Sequence, residues 1–292
     1  MDAIITYVNG SDPIWQADYA RATNTPALTK RFRDWGTLKY LLRGIETNMP
    51  FINNVYLIVS HPSQVPEWAN TENLRIVLHK DIIPEEFLPT FNCNTILTHM
   101  HKIEGLDEKY IFFNDDFFPV QPSSAEDFFN EKGICFGFSK HLFSFNMYKK
   151  ICRNADKLAR KIAGKSWSPF FHRPQHICCP MLRKACEIVY EDAEEEIRQS
   201  ITMIRENKNI NEYVFLDYLY YSGHVKQKRL SKKHFSMASA SPEKIASFIR
   251  KPNRNFVCIN DVELSIEQEQ AMKKAIIDAF ETLLPTPSKF EL

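Results

Sequence analysis

Short, unbroken runs of apolar residues recur through the first part of the chain and predict buried β-strands. The runs are residues 4–8, 55–59, 74–78 and 110–113. Between the first two, apolar side chains recur at helical spacing, at Leu38, Leu41, Leu42 and Ile45, which predicts an intervening helix. Parallel strands covered by helices on both faces are apolar throughout rather than alternating. We therefore expect an α/β fold with a doubly wound, mostly parallel sheet.

In the second half of the chain, apolar residues recur mainly at helical spacing. The first residues of two of its helices can be identified from the sequence. Ser241-Pro242 is typical of an N-cap followed by proline at the first helical position. Ser265 and Gln268 have the spacing of a capping box. We expect one domain over residues 1–292, with an α/β half at 1–125 and a mainly helical half at 126–292 packed on it.

One connection stands apart from this pattern. Residues 164–180 contain three prolines and two histidines, at His172 and His176, and show neither a helical period nor strand alternation. An unstructured connection of this length inside a compact domain usually serves a function. We therefore expect a functional loop here, although a histidine in a proline-rich loop is more often an incidental surface residue.

Composition narrows the class of protein. The 292 residues include 37 basic and 36 acidic side chains and are 44% hydrophobic, which excludes a disordered or collagen-like chain. A near-zero net charge argues against a nucleic-acid binder. The seven cysteines form no C-x-x-C pair, so reduced thiols are expected. With no signal-peptide pattern after Met1 and no apolar run near the ~20 residues of a membrane span, we expect a cytoplasmic protein, with at most peripheral contact at the inner face of the cell membrane.

The sharpest chemical feature is the triplet Asn114-Asp115-Asp116, which follows an apolar strand. Adjacent carboxylates at the end of a buried strand repel each other unless a cation or strong partners stabilise them. A hard divalent metal, Mg²⁺ or Mn²⁺, suits such oxygen ligands. An Asx-rich turn is the alternative and carries equal weight. Asp12 and Asp261 also follow apolar runs and are further acidic candidates, each more often a turn residue when seen alone.

Two segments are suited to phosphate groups. Asn9-Gly10-Ser11-Asp12 follows the first predicted strand and offers a permissive backbone with short polar side chains. Arg31-Phe32-Arg33-Asp34 places two guanidinium groups just before the helix that begins near Thr37, an arrangement suited to phosphate oxygens. The simpler alternatives are a solvated arginine pair and, for Asp34, an N-cap.

Taken together, these segments resemble the Stealth family of sugar-1-phosphate transferases. The resemblance lies in four ordered blocks, which are residues 5–13, segments within 31–46, segments within 88–116, and residues 256–261 with the ending 287–292. Four blocks in order are far more specific than any one motif. The chain departs from the family pattern at Trp35, where asparagine is more frequent, and at Lys39, where arginine is.

The resemblance implies transfer of a sugar-1-phosphate from a nucleotide sugar, either a UDP-N-acetylhexosamine or a UDP-hexose, to a hydroxyl of an acceptor glycan. The product is a phosphodiester, the leaving group is UMP, and the setting is capsular or cell-surface polysaccharide synthesis. The acceptor is a glycan that is either free or lipid-linked. Residues 1–125 are then the half that binds the nucleotide sugar, and 126–292 complete the active site.

The resemblance also assigns roles to residues. Asp34 and His172, the latter in a segment similar to a histidine segment of the family, are the expected acid–base pair. Asp34 is favoured as the base and His172 as proton donor or phosphate stabiliser, with the reverse left open. The residues expected at the nucleotide and phosphates are Asn9, Gly10, Asp12, Arg31, Arg33 and Arg43. Metal ligands are expected at Asp115, Asp116 and Asp261, and acceptor or supporting roles at Asn94, His99, His101 and His176.

Two other functions are compatible with the sequence. A metal-dependent glycosyltransferase could use the same donor and scaffold, with attack on the anomeric carbon and release of UDP. A catalytically silent glycan- or nucleotide-binding subunit is the second alternative. Because Asp34, Asp115 and Asp116 are all present, the silent subunit is disfavoured.

Overall fold

The computed structural model describes residues 1–26 and 32–292. Its strands, numbered in chain order, are β1 (Asp2–Thr6), β2 (Asn54–Val59), β3 (Leu74–Leu78), β4 (Lys109–Asn114), β5 (Phe117–Pro119), β6 (Phe129–Asn130), β7 (Gly133–Phe136), β8 (Phe138–His141), β9 (Phe171–Pro174), β10 (Cys179–Leu182), β11 (Val225–Gln227), β12 (Lys232–Ser236) and β13 (Phe256–Asn260). The α-helices are α1 (Pro13–Thr23), α2 (Leu38–Asn48), α3 (His79–Ile82), α4 (Cys93–Leu97), α5 (Met147–Ile162), α6 (Arg183–Asp192), α7 (Glu194–Ser200), α8 (Tyr213–Tyr221), α9 (Pro242–Arg250) and α10 (Ile266–Leu283).

The chain forms an α/β fold made of two compact units that are interleaved in sequence. Unit 1 comprises Met1–Asp2, Val77–Phe112 and Glu126–Arg229. Unit 2 comprises Ala3–Ile76, Phe113–Ala125 and Leu230–Leu292. One boundary coincides with the expected division after residue 125, but unit 2 also draws on the last part of the chain. Sequence order alone does not reveal that the two units are interleaved, because this arrangement depends on contacts between segments far apart in the chain.

Unit 2 contains the strands β1, β2 and β3, which lie side by side in that order. Their apolar side chains, including Ile4, Ile5 and Ile58, are completely buried. A second sheet has the order β12-β13-β5, in which β12 and β13 are parallel and β13 and β5 are antiparallel. Helix α2 packs on β5, and a Cβ atom at Gly44 would lie 2.5 Å from the Pro119 carbonyl oxygen. Glycine is therefore required at this close approach.

Unit 1 contains the pairing of β10 with β4, two smaller sheets and a layer of helices. Strands β10 and β4 pair antiparallel, β7 lies between β6 and β11, and β8 pairs antiparallel with β9. Helix α5 packs against α8 and against β9. The buried faces of α5 and α8 are mostly apolar but also include Asp156 and Asp217.

The four strands predicted from apolar runs are confirmed as β1 to β4. The predicted helix caps are confirmed as well, since Ser241 accepts a hydrogen bond from Lys244 N and Ser265 forms a capping box with Gln268. The expectation of no strand in residues 164–180 is wrong, because β9 lies inside this segment and β10 begins in it. Over the described ranges, no helix combines the length and the apolar character needed to cross a bilayer.

Candidate active site

The predicted metal residues Asp115 and Asp116 lie in unit 2, directly after β4. The backbone of Asp116 is fixed, since its carbonyl oxygen accepts a hydrogen bond of 3.1 Å from the N–H of Ile259 in the neighbouring strand β13. The Cys258 thiol lies 3.6 Å from Asp116 Oδ2. Asp116 Oδ1, in contrast, is buried and has no hydrogen-bond partner among the residues that the structure describes. A carboxylate oxygen in this position fits a cation.

Electrostatics identify a cluster of carboxylates around this point. Burial, together with the charges of Asp116, Asp34 and Asp261, raises the pKa of Asp115 to about 7. Burial also raises the pKa of Asp116 to about 6, although Cys258 and the charge of Lys232 oppose this change. Four aspartates of unit 2 therefore share one region in which their negative charges need compensation.

Asp34 occupies this cluster without capping a helix. Its Oδ1 accepts a hydrogen bond of 2.8 Å from the N–H of Gly36, which forms a tight turn in which Gly36 has a φ of 70°. The N-cap residue of α2 is Thr37. A buried tyrosine, Tyr7, is hydrogen-bonded to Asp34, and burial together with the charges of Asp34 and Asp115 raises the pKa of Tyr7 above its usual range. The capping alternative for Asp34 is thus not what the structure contains.

Arg33 and Asp261 form an ion pair at the edge of the same cluster. Arg33 Nη1 lies 2.9 Å from Asp261 Oδ1, and Arg33 Nε lies 3.2 Å from Glu269 Oε2. The guanidinium also lies over the Trp35 ring, 5.2 Å from its centroid. Arg33 is therefore held beside the aspartates by α10 and by the segment after β13, rather than forming a solvated surface pair.

Of the other two predicted arginines, the structure describes only Arg43. Arg31 lies outside the described residues. Arg43 is buried in α2, where its nitrogens donate to Glu291 at 2.7 and 2.8 Å, to Glu281 at 3.2 Å and to the Leu284 carbonyl at 2.8 Å. Because its donors bond to these oxygens, Arg43 connects α2 to the C-terminal segment, residues 281–291.

The segment Asn9-Gly10-Ser11-Asp12 forms a rigid turn between β1 and α1. Asp12 is the N-cap of α1, and its Oδ1 accepts from the N–H groups of Ile14 and Trp15. Gly10 donates to the Phe32 carbonyl at 2.7 Å, and a Cβ atom there would lie 2.4 Å from that oxygen. Asn9 N donates to Gln64 at 2.7 Å. Backbone packing and capping explain the residue types in this turn, and binding of a nucleotide to it stays a prediction.

In unit 1, His172 belongs to a chain of hydrogen bonds with buried Asp156. The Tyr221 hydroxyl donates to Asp156 Oδ1 at 2.6 Å and lies 2.7 Å from His172 Nδ1. A phenol has one proton, so the contact with His172 requires the proton on Nδ1. Asp156 also accepts from the backbone N–H of His172 at 2.7 Å and pairs with Arg160 at 3.4 Å. This arrangement leaves Nε2 of neutral His172 as a proton acceptor.

The four residues expected in supporting roles lie in unit 1 and are all in contact with other side chains. His99 bridges the Thr95 carbonyl and the Tyr190 hydroxyl, at 2.7 and 3.1 Å. Burial lowers the pKa of His99 to about 4 and that of His101 to about 3. Asn94 Nδ2 lies 3.4 Å from Asn209 Oδ1. His176 Nδ1 lies 3.4 Å from the Tyr213 hydroxyl.

Sequence inspection missed several acidic residues of unit 1. Asp217 is completely buried in α8, and neither of its oxygens has a hydrogen-bond partner within residues 1–26 and 32–292. Glu212, the N-cap residue of the same helix, is also buried, and burial raises its pKa to about 7. Asp156, the partner of His172, lies on the interior side of α5. In the sequence, the one feature that could have identified these residues is the presence of an acidic residue on an otherwise apolar face of a predicted helix.

Comparison with known proteins decides the family. Models of conserved region 2 and conserved region 4 of Stealth proteins match residues 31–136 and 247–292. The receptor polysaccharide phosphotransferase WefC of Streptococcus oralis is 30% identical, over 100% of this chain and 99% of that protein. The chain belongs to the Stealth family. The resemblance to this family is thereby confirmed, and the two models cover the second, third and fourth of the four sequence blocks.

Other relatives of this Stealth protein have similar names. The capsular polysaccharide phosphotransferase WcwK of Streptococcus pneumoniae is 29% identical over 100% of this chain and 99% of that protein. Among solved structures, galactosyltransferase LgtC with donor and acceptor sugar analogues matches with a TM-score of 0.46 at 11% identity, covering 99% of this chain and 98% of that chain. A likeness at that level bears on neither the fold nor the reaction.

Proposed function

We propose that this Stealth protein is a transferase that moves a sugar-1-phosphate from a nucleotide sugar to a hydroxyl of an acceptor glycan. The donor is a UDP-N-acetylhexosamine or a UDP-hexose, the leaving group is UMP, and the product is a phosphodiester in a capsular or cell-surface polysaccharide. Polysaccharide phosphotransferases that match the chain over its whole length support this reaction. The acceptor is proposed to be lipid-linked, and the enzyme peripheral on the inner face of the cell membrane.

The observation that carries the proposal is the aspartate cluster of unit 2. Asp115 and Asp116 have pKa values raised to about 7 and about 6, and a buried oxygen of Asp116 lacks any partner among the described side chains. These carboxylates fit a divalent cation, Mg²⁺ or Mn²⁺, with Asp261 as a further ligand. When bound, such an ion supplies neutralisation of charge on the pyrophosphate oxygens.

The protein residues supply orientation and proton transfer. Arg33, held beside the aspartates by Asp261 and Glu269, is proposed to contact phosphate oxygens. The Asp34 carboxylate, oriented by Gly36 and Tyr7, is proposed to accept the proton of the attacking hydroxyl. His172 is proposed to donate a proton or to stabilise the phosphate, although its Nδ1–H tautomer also suits the reverse assignment. Asn9, Gly10 and Asp12 are proposed to line the nucleotide.

The experiment is a turnover assay with a panel of UDP-sugars, performed with Mg²⁺, with Mn²⁺ and with chelator. Turnover with metal and none in chelator is expected, and calorimetric titration should detect Mn²⁺ binding to the wild-type chain. Asp115→Asn and Asp116→Asn should each abolish turnover and Mn²⁺ binding. Asp278→Asn, which alters an exposed aspartate paired with Lys274, is the control and should change neither. Full activity in chelator, or in either cluster variant, would exclude the metal.

A further inference from the structure

Exposed apolar side chains concentrate in two short segments of unit 1. Outside these segments, the other large exposed hydrophobic residues of the described chain are single positions, apart from the neighbours Met203 and Ile204. Phe145 and Trp167 are each 81% exposed, and Phe143 is 59% exposed, with Leu142 and Phe170 at 39% and 38%. Leaving such rings in water is unfavourable, and a contiguous exposed group of them usually marks an interaction surface.

The two segments emerge from the same end of one strand pair. In the antiparallel pair β8–β9, His141 is opposite Phe171, so the chain leaving β8 runs beside the chain entering β9. Lys140 Nζ lies 4.4 Å from the Phe170 ring centroid, which joins the two sides. Phe143 and Phe145 stack on each other, with centroids 5.2 Å apart and rings 10° from parallel. We call Leu142, Phe143, Phe145, Trp167 and Phe170 the aromatic patch.

The chain around the aromatic patch is strongly basic. Residues 138–173 contain nine basic side chains and one acidic side chain, in a protein whose net charge is only +1. The basic residues are Lys140, Lys149, Lys150, Arg153, Lys157, Arg160, Lys161, Lys165 and Arg173. The single acid, Asp156, is buried and bonded to His172, Tyr221 and Arg160. Among the flanking lysines, Lys140 and Lys165 are exposed.

We infer that the aromatic patch is a docking surface for an anionic phospholipid bilayer. Aromatic rings are stable at the level of lipid head groups, and each nearby lysine adds electrostatic attraction to an anionic leaflet. Neither component suffices alone for lasting attachment, whereas the two together are typical of peripheral membrane proteins. An anionic glycan in water would satisfy the lysines, but it offers no apolar phase for Leu142 and the exposed rings.

The inference deepens the proposed function, since attachment here would bring the enzyme to lipid-linked acceptors, but its test requires no turnover. Sedimentation of the full chain with phosphatidylcholine vesicles, with and without phosphatidylglycerol, is the measurement. At least about tenfold more protein should sediment with the anionic vesicles, and high salt should reverse this. Trp167 emission should shift to shorter wavelength on binding, because the indole leaves water.

Matched variants separate the contribution of the exposed aromatic rings from that of the lysines. Phe145→Ser combined with Trp167→Ser should lower vesicle binding at least about tenfold, as should Lys140→Glu combined with Lys165→Glu. The controls Ile266→Ser, at a position that is 72% exposed, and Lys251→Glu, also at an exposed position, should bind as wild type does. Thermal unfolding followed by circular dichroism shows that each variant is folded.

Either of two results would overturn the inference. The first is equal sedimentation with neutral and anionic vesicles. The second is unchanged vesicle binding by the Phe145→Ser, Trp167→Ser variant together with tight binding of heparin, since the surface would then be a site for a soluble polyanion. Loss of polysaccharide phosphotransfer with vesicle binding intact would count against the proposed function and leave this inference standing.

Discussion

The sequence allows two interpretations of Asp34, as a helix cap and as a catalytic carboxylate. The sequence places it just before a helix, yet its side chain accepts from the Gly36 N–H in a turn, and Tyr7 bonds to it. A carboxylate oriented by two donors near Asp115 is equipped to take a proton. The simple N-cap interpretation was wrong because the helix begins at Leu38, beyond the reach of that cap.

Asp34→Asn is expected to lower kcat by about 100-fold or more, because an amide cannot accept the hydroxyl proton. The amide oxygen can still accept from Gly36, so the melting temperature and donor affinity should stay close to those of the wild type. Steady-state kinetics and thermal unfolding of the same preparation measure both. Full activity of this variant would return Asp34 to a purely structural role.

Tyr221→Phe is expected to weaken the preference of His172 for its Nδ1–H tautomer, because the ring nitrogen loses the hydroxyl that it contacts at 2.7 Å and keeps Asp156 Oδ1 at 3.4 Å. Nitrogen-15 NMR of labelled histidine, with His172→Ala for assignment, should show a protonated Nδ1 and an unprotonated Nε2 in the wild type, and a larger share of protonated Nε2 in the variant. The accompanying fall in kcat should be about tenfold or more. Tyr220→Phe, whose ring packs 4.3 Å from His172, is the control. A protonated Nε2 in the wild type would contradict the account.

The sequence identified the acidic side chains that follow strands but not those that are buried in helices. Asp115 and Asp116 were found because they follow a strong apolar run. Asp156 and Asp217 were not, because an acid on an otherwise apolar helical face is evident only when the packing of α5 and α8 is known. The couplings among Asp34, Asp115 and Asp261 likewise depend on contacts between segments far apart in the chain.

Helix α1 begins at a cap residue, Asp12, that also bonds to another segment of the chain. Asp12 accepts hydrogen bonds from Ser63 and Gln64 as well as from the N–H groups of Ile14 and Trp15. Burial alone would raise the pKa of Asp12, but these donors lower it below its usual value. One carboxylate thus joins α1 to the segment after β2, which explains the acidic residue here without reference to a nucleotide.

Asp12→Ala should lower the free energy of unfolding by about 2 kcal/mol, because a cap is lost and buried donors are left without an acceptor. The exposed cap variant Ser265→Ala should cost only about 1 kcal/mol. Urea denaturation of both variants measures the difference. If Asp12→Ala were no less stable than Ser265→Ala but bound donor far more weakly, Asp12 would act on the nucleotide rather than on the fold.

Strands and helix caps could be predicted where the pattern that indicates them lies within a few consecutive residues. Apolar runs identified β1 to β4, and Ser265 with Gln268 identified the start of α10. Strands β8 and β9 were not predicted, because each has four residues with polar and basic side chains and is stabilised by pairing with the other. Short strands of this kind depend on a partner that the sequence does not name.

For the whole molecule, buried histidines predict sensitivity to acid. In unit 1, burial lowers the pKa of His79 and His99 to about 4 and that of His101 to about 3. In the unfolded chain a histidine binds its proton below about pH 6.5, so only the unfolded state gains protons between that pH and 4. The stabilising contribution is therefore complete above pH 6.5 and is lost as the pH falls.

His101→Phe keeps a ring against Tyr190 and Phe215 and removes the proton site. Between pH 7 and pH 5 the wild type should lose about 2 kcal/mol more of its free energy of unfolding than this variant does. The comparison cancels the opposite contribution of acids with raised pKa values, such as Asp115 and Glu212, which both proteins share. Denaturant unfolding at the two pH values is the measurement, and equal losses would show that His101 is protonated in the folded state.

We propose that the acceptor oxygen attacks the β-phosphorus of the donor rather than the anomeric carbon. Chromatography of the nucleotide product, with phosphorus NMR of the sugar product from the same reaction, distinguishes these two reactions. Attack on phosphorus gives UMP, a phosphodiester signal between two sugars and retention of the donor's anomeric configuration, since the anomeric carbon–oxygen bond is not broken. Release of UDP with a phosphorus-free glycoside would contradict it.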